Sequence, residues 1–223
     1  MVVGFILSMI HSSKGNDSRW QQAWRNGLHH SRMLLRIGWG LLKSDPQRVW
    51  TMRVVELLSR FLWQLPQTIG GLLTAIAHVV FELKGGVTDV DYCRGATVIR
   101  TSRGLWGAVS QGCFIVGSYP IAACEDNWLF QHEYGHYLQS LKMGWAYYSR
   151  IGLPSILSME QHDKQPVEQD ANRRSAAFFN RDGEGLMEVK AAWYDYAAWL
   201  IPFVGTILVG LYHRAVDVGK LHS

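Results

Sequence analysis

The sequence predicts an α+β fold, mostly helical, with one small antiparallel β-ribbon beside a central helix. Three observations carry this. Most of the chain repeats apolar residues at three- and four-residue spacing between helix start and stop signals. Residues 96–116 change to β-branched residues punctuated by glycine, the pattern of short strands. A chain of 223 residues builds one sizeable core and would cramp two, and no linker or repeat divides it. One domain over residues 1–223 follows, with a helical region at about 16–84 and an apolar helix at about 193–213.

Composition narrows the partners. Hydrophobic residues make up 48% of the chain, with 10 Trp, while charged residues are only 18% against roughly 25% in soluble domains. That balance demands extensive burial or contact with lipid, so a membrane surface is a candidate partner. The net charge of +4 comes without a dense Lys/Arg run, which argues against nucleic acid.

Met1 to Ile10 is apolar, too short to span a bilayer, and lacks both a leading positive charge and a small-residue cleavage pattern. It reads as a core strand or a surface-anchoring tip, and membrane-associated and cytoplasmic locations both stay open. Asn16 to Leu42 reads as an amphipathic helix entered at Asp17 or Ser18, with Trp20, Trp24, Leu28, Leu35 and Ile37 beside Arg19, Arg25, Arg32 and Arg36. A solvated basic face is the preferred reading, attachment to an anionic membrane the other. His29 and His30 are adjacent, cannot share a helix face, and receive no role.

Asp45-Pro46 reads as the start of a second helix running to Leu62, with Val49, Met52, Val55, Leu58 and Leu62 on its apolar side. Pro66 breaks it. A third apolar run, Thr68 to Phe81, is too short to cross a bilayer and fits a buried or re-entrant helix; His78 within it reads as a hydrogen-bonded core histidine. Beyond Lys84-Gly85-Gly86, residues 96–101 and 108–116 are expected to form a hairpin turning at Ser102-Arg103-Gly104. Cys93, Cys113 and Cys124 lack paired metal-ligand spacing and read as buried thiols, a Cys113–Cys124 disulfide being the alternative in an oxidising compartment. From Tyr196 to Tyr212 the chain is uncharged and close to spanning length, which leaves a membrane helix and a core helix both open.

The central helix carries the chemistry. Asn127 follows Glu125-Asp126 as a cap, apolar residues run from Trp128, and Gly144 is a stop, so a helix is expected over 128–143. Within it stands His132-Glu133-Tyr134-Gly135-His136. Positions four apart share a helix face, so His132 and His136 can aim at one point, while Glu133 sits about 100° round the helix, able to reach water without binding metal. Two imidazoles holding Zn²⁺ and a neighbouring carboxylate acting as general base is the arrangement that metal-assisted hydrolysis needs. Gly135 costs about 1 kcal/mol against Ala in a helix, which close approach of another backbone would justify. Pro166 opens a further helix, in which Glu168 is the expected third ligand and Asn172, one turn on, could orient a ligand histidine. Asp170 and His162 are its rivals. Tyr147, Tyr148 and Arg150 are candidate donors to a developing oxyanion, and the sequence selects none of them.

His132-Glu133-x-x-His136, followed 32 residues later by Glu168 and then Asn172, resembles the gluzincin branch of zinc metallopeptidases. More closely, HEYGHYLQS, Gly152-Leu153-Pro154-Ser155 and the Glu168-x-x-Ala171-Asn172 run resemble small bacterial HEYGH-type proteins; the resemblance spans residues 96–180. It implies Zn²⁺, a Glu ligand on a following helix, and an edge strand beside the active-site helix that holds an extended peptide by strand addition. Gluzincins commonly carry Asp where Asn172 stands. The expected function is zinc-dependent hydrolysis of a peptide or protein substrate; the competing class is a non-catalytic membrane-associated or interaction protein, and a non-peptide amide is a third choice of substrate.

Overall fold

A computed structural model describes residues 18–103, 107–157, 164–181, 188–200 and 204–221. Met1–Ile10, Asp17, Gly104 and His162 lie outside these. The helices are α1 (Ser18–Gly40), α2 (Trp50–Phe61), α3 (Leu65–Val80), α4 (Trp128–Met143), α5 (Leu153–Ile156), α6 (Pro166–Phe178), α7 (Trp193–Ala197) and α8 (Val204–Leu221). The strands are β1 (Val87–Cys93), β2 (Ala96–Thr101), β3 (Ala108–Gln111) and β4 (Phe114–Gly117). The mostly helical α+β class therefore holds.

The sheet is mixed and four-stranded, in the order β1-β2-β4-β3, rather than an antiparallel two-stranded ribbon. Two tight turns explain the difference. Arg94 and Gly95 adopt φ of 51° and 83°, the left-handed pair that closes a two-residue hairpin between β1 and β2. Gly112, at φ 59°, turns β3 back onto β4 and splits the stretch expected to be one strand. Strand β2 then pairs with β4 in parallel, Thr97 opposite Phe114 and Val98 opposite Ile115, so no hairpin turns at Ser102-Arg103.

The main core lies between this sheet, α1, α3 and the back of α4, and includes Ile37, Val79, Ile99, Phe114, Ile115, Phe130 and Tyr134. Helix α1 buries Ala23, Met33 and Ile37 and leaves Trp24, Leu28 and Leu35 of the expected apolar stripe exposed. Its register follows charge and close packing: Arg36 pairs with Asp89 at 2.7 Å and Asp91 at 3.2 Å on β1, and Gly40 fits tightly against the Thr97 side chain. His29 lies 2.8 Å from the Val87 carbonyl, and His78 hydrogen-bonds the Thr74 carbonyl at 2.8 Å, as a core histidine should. The three thiols are free; Cys113 is buried, Cys93 half-buried and Cys124 exposed.

Helix α2 departs furthest from expectation. It starts at Trp50, because Asp45 closes a turn by accepting the Gln47 N–H at 3.0 Å and is then buried against Arg94 and Arg48. Its apolar side faces outward, with Trp50 72% and Leu62 67% exposed, while Glu56 and Arg60 point in. Arg60 donates to the carbonyls of Gly40 at 3.0 Å, Leu41 at 2.9 Å and Gly95 at 2.8 Å and to Glu56 at 3.0 Å, so one guanidinium joins α1, α2 and the β1–β2 turn. Tyr137 of α4 donates to the same Glu56 carboxylate at 2.8 Å.

The C-terminal region is not one helix over 193–213. Asp195 caps the start of helix α7, its carboxylate accepting the Ala192 N–H at 2.7 Å; a 3-10 turn over Ala198–Leu200 follows, and α8 is described from Val204 to Leu221. Polar pairs dock α8: His213 lies 2.7 Å from Asp195, and Arg150 pairs with Asp217 at 3.0 Å. No helix among the described residues is long and apolar enough to cross a membrane.

Removing one member of a buried ion pair strands the other charge, at a cost of about 3–5 kcal/mol. Arg60→Met should therefore lower unfolding free energy by about that amount in urea titration; a loss under ~1 kcal/mol would show that the network does not hold these elements together.

Candidate metal centre

Helix α4 forms where its local signals place it, from Trp128 to Met143. Asn127 accepts the Phe130 N–H at 2.8 Å as N-cap and donates to the Pro120 carbonyl at 2.8 Å, fixing both helix start and incoming chain. Gly144, at φ 53°, ends it. The rear of the helix is tied down by Tyr134 to the Arg94 carbonyl at 3.0 Å, Tyr137 to Glu56, and Ser140 to Gln64 at 2.9 Å. These bonds turn His132, Glu133 and His136 toward α6 and β3.

Helix α6 opens on Pro166 and crosses α4 at Gly135. A Cβ at position 135 would collide with the carbonyl of Ala171, which is the local reason for glycine inside this helix. The close crossing brings Glu168, one turn before Ala171, beneath both imidazoles. His136 Nε2 lies 2.9 Å and His132 Nε2 3.2 Å from the same oxygen, Glu168 Oε2. The two rings stand edge to face, with centroids 5.0 Å apart. One donor atom from each of His132, His136 and Glu168 lies within 4.8 Å of the others, a spacing able to hold a metal ion.

The outer nitrogens of the histidines are held as a metal site requires. His132 Nδ1 meets Asn172 Oδ1 at 2.8 Å, so the structure brings Asn172 to the position expected of it. His136 Nδ1 meets Gln139 Oε1 at 2.8 Å. Gln139 donates its amide to the Val167 carbonyl at 2.8 Å and to Asp170 at 2.9 Å, so its oxygen must face the ring. An amide oxygen only accepts, so each Nδ1 carries a proton; the Nε2 atoms face the Glu168 carboxylate, and giving up the proton there would free their lone pairs for a metal ion. The donor set thus fits a zinc ion: two imidazole nitrogens and one carboxylate, mutually close and oriented.

Asp170 does not compete with Glu168. Buried on another face of α6, it receives Arg173 at 2.8 Å and Arg174 at 2.7 Å and steadies Gln139. Burial alone would raise its carboxyl, but those bonds hold it below the ordinary range. Gln139 escapes a motif reading, although its place three residues after His136 puts it on the same helix face.

Burial works against charge on the histidines, yet the Glu168 carboxylate outweighs it. The His136 imidazole is pushed up to about 9 and that of His132 is also raised, while Glu168, despite burial, is held well below the usual carboxylate range by His136 and by hydrogen bonds from His132, His136 and Ser155.

Glu133 and His136 open onto a cleft of about 70 Å³ walled by β3, Tyr147, Tyr148 and Ser155. Among the described residues strand β3 pairs only with β4 and is a sheet edge beside α4. Tyr147 donates to the Ser110 carbonyl at 3.1 Å, and Tyr148 donates to the Gln111 side chain at 3.1 Å. Burial pushes the Tyr148 hydroxyl up to about 12, so it stays a proton donor. Of the three candidate donors, Arg150 points away, to Asp217, while Tyr147 and Tyr148 line the cleft.

Gly135→Ala must push α6 off α4; a drop in stability of about 1–3 kcal/mol is expected, measured by thermal or urea unfolding, and an unchanged midpoint would mean that the helices are not in register here. In chelated buffer, stability should depend on pH in both directions. The raised His136 contributes below the unfolded-state value near 6.5, and that contribution is lost as pH rises through about 9. The lowered Glu168 contributes above its unfolded-state value of 4.5, and its share is lost as pH falls below that value. Unfolding midpoints between pH 4 and 10 should thus peak in the middle and flatten in Glu168→Gln; a wild-type profile already flat would deny the pairing.

No protein-family model, curated protein or solved structure matches the chain.

Proposed function

We propose that the protein is a zinc-dependent hydrolase, a metallopeptidase of the HExxH type with His132, His136 and Glu168 as ligands and Glu133 as general base. The observation that carries this is the convergence of two oriented imidazoles and a buried carboxylate from two separate helices, within 4.8 Å of one another. The gluzincin resemblance supports the same ligand set. When bound, zinc supplies a Lewis acid that acidifies water and polarises a carbonyl.

The chain's own residues account for the remaining steps. Asn172 and Gln139 hold the rings so that neither must turn to bind. Glu133, almost wholly buried beside His136, takes a proton from water and returns it to the leaving nitrogen. Tyr148 is the donor for the oxyanion: its partner is a side-chain amide that can turn away, whereas Tyr147 supports the backbone of β3. The edge of β3 away from β4, where Tyr147 takes the Ser110 carbonyl, offers its remaining backbone groups to an extended peptide along the cleft.

The second reading, a non-catalytic protein docked on a membrane or partner, draws on the exposed apolar faces of α2 and α8, Trp50 and Leu208 among them. Elemental analysis and cleavage of a diverse peptide library separate the two. Wild-type protein should carry stoichiometric zinc and cleave; His132→Ala should lose the zinc. Glu133→Gln should keep zinc and lose activity on the order of 10²–10⁴-fold. Full activity in Glu133→Gln would remove that residue from the scheme, and zinc without cleavage would favour the second reading.

A further inference from the structure

The wall of the cleft is shared. Tyr148, Gly152 and Ile156, which line it, also line a neighbouring groove of about 570 Å³ between α3, α5 and α8. Ile69 and Leu73 form one side, Leu153 and Ile207 the other, and Trp145 and Trp199 the end. Its polar groups are nearly all spent. The Trp145 indole donates to the Leu62 carbonyl at 2.9 Å, that of Trp199 to the Trp145 carbonyl at 2.5 Å, and the Tyr148 hydroxyl to Gln111.

We infer that this groove takes the hydrocarbon chain of an N-acylated peptide whose amide lies in the cleft, an inference that rests on the hydrolase reading and names its substrate class. Three features select a hydrocarbon. An extended polypeptide segment would bring backbone N–H and C=O groups needing partners, and the lining offers little beyond the Thr206 hydroxyl. The volume falls in the range that holds whole small ligands. The rim is apolar and accessible, with Leu73 61% and Ile156 62% exposed, so a chain can enter from the side. Hydrolysis then adds water across the amide, releasing a carboxylate and an amine, while the apolar chain remains in the groove.

The test uses the full-length protein with dansyl-undecanoic acid as probe, and matched N-dodecanoyl and N-acetyl peptides as substrates. The probe should bind to wild type and to Glu133→Gln alike, and the N-dodecanoyl peptide should displace it. Ile69→Arg and Ile207→Arg, both at half-exposed sites, should weaken probe binding on the order of tenfold or more while zinc content and the unfolding midpoint stay unchanged. The N-dodecanoyl peptide should be cleaved with a kcat/KM on the order of a hundredfold above its N-acetyl counterpart, mostly through KM. Absence of probe binding, equal displacement by an apolar N-acetyl peptide, or equal cleavage of the two substrates would overturn the inference and leave the hydrolase reading standing. Probe binding that the arginine variants abolish, with no cleavage of either substrate, would instead sink the hydrolase reading and leave an acyl-binding groove.

Discussion

The crossing of α4 and α6 at Gly135 is the contact on which the centre depends. Glu168 and Asn172 lie one turn before and one residue after Ala171, the residue that touches Gly135. Their reach is therefore set by how closely two backbones approach. With a side chain at position 135 the carboxylate would stand off from the imidazoles, and a 2.9 Å contact leaves little slack. Packing of this kind is rigid because interiors are close-packed and cannot absorb even a methyl group cheaply.

A fixed crossing still needs a fixed helix. Tyr134, Tyr137 and Ser140 give α4 three polar tethers on its rear, and Tyr137 reaches the Glu56–Arg60 pair that also binds α1 and the β1–β2 turn. Gln139 and Asp170 then lock α4 to α6 on the other side, with Arg173 and Arg174 neutralising Asp170. A buried polar network is costly unless its members are paired, and a paired one fixes geometry more sharply than apolar packing. Here it surrounds the one place where donor positions matter to a few tenths of an ångström.

How much of this was legible depended on whether a signal was local. The limits of α4, the shared face of His132 and His136, the need for glycine at 135 and the choice of Glu168 and Asn172 as candidates all follow from capping, periodicity and motif spacing, and the structure brings those side chains together. The sheet was not legible in the same way. Arg94-Gly95 and Gly112 carry turn chemistry as good as that of Ser102-Arg103-Gly104, and only the parallel pairing of β2 with β4 decides among them. Parallel partners are joined by long connections that leave no local mark. Helix α2 misleads for a different reason: apolar periodicity finds a face but not the direction it points, and here Glu56 and Arg60 point in because Gly40, Leu41, Gly95 and Tyr137 converge on them.

That inversion ties the composition to the surface. Few charges serve this chain, and several of them, Asp45, Glu56, Arg60, Glu133, Glu168, Asp170, Asp195 and Asp217, are buried where they position helices or the centre. Apolar side chains are then left for the outside, on α2, on the rim of α3 and along α8. Contiguous apolar surface beyond a few hundred Å² marks a contact site more often than it marks chance. The groove beside the cleft is where this outer apolar surface runs inward to Tyr148, one wall of the candidate centre. A polar interior that orients two histidines and an apolar exterior that leads to them are thus two results of one allocation of residues: the charges that would have kept α2, α3 and α8 wet are holding α4 and α6 in place.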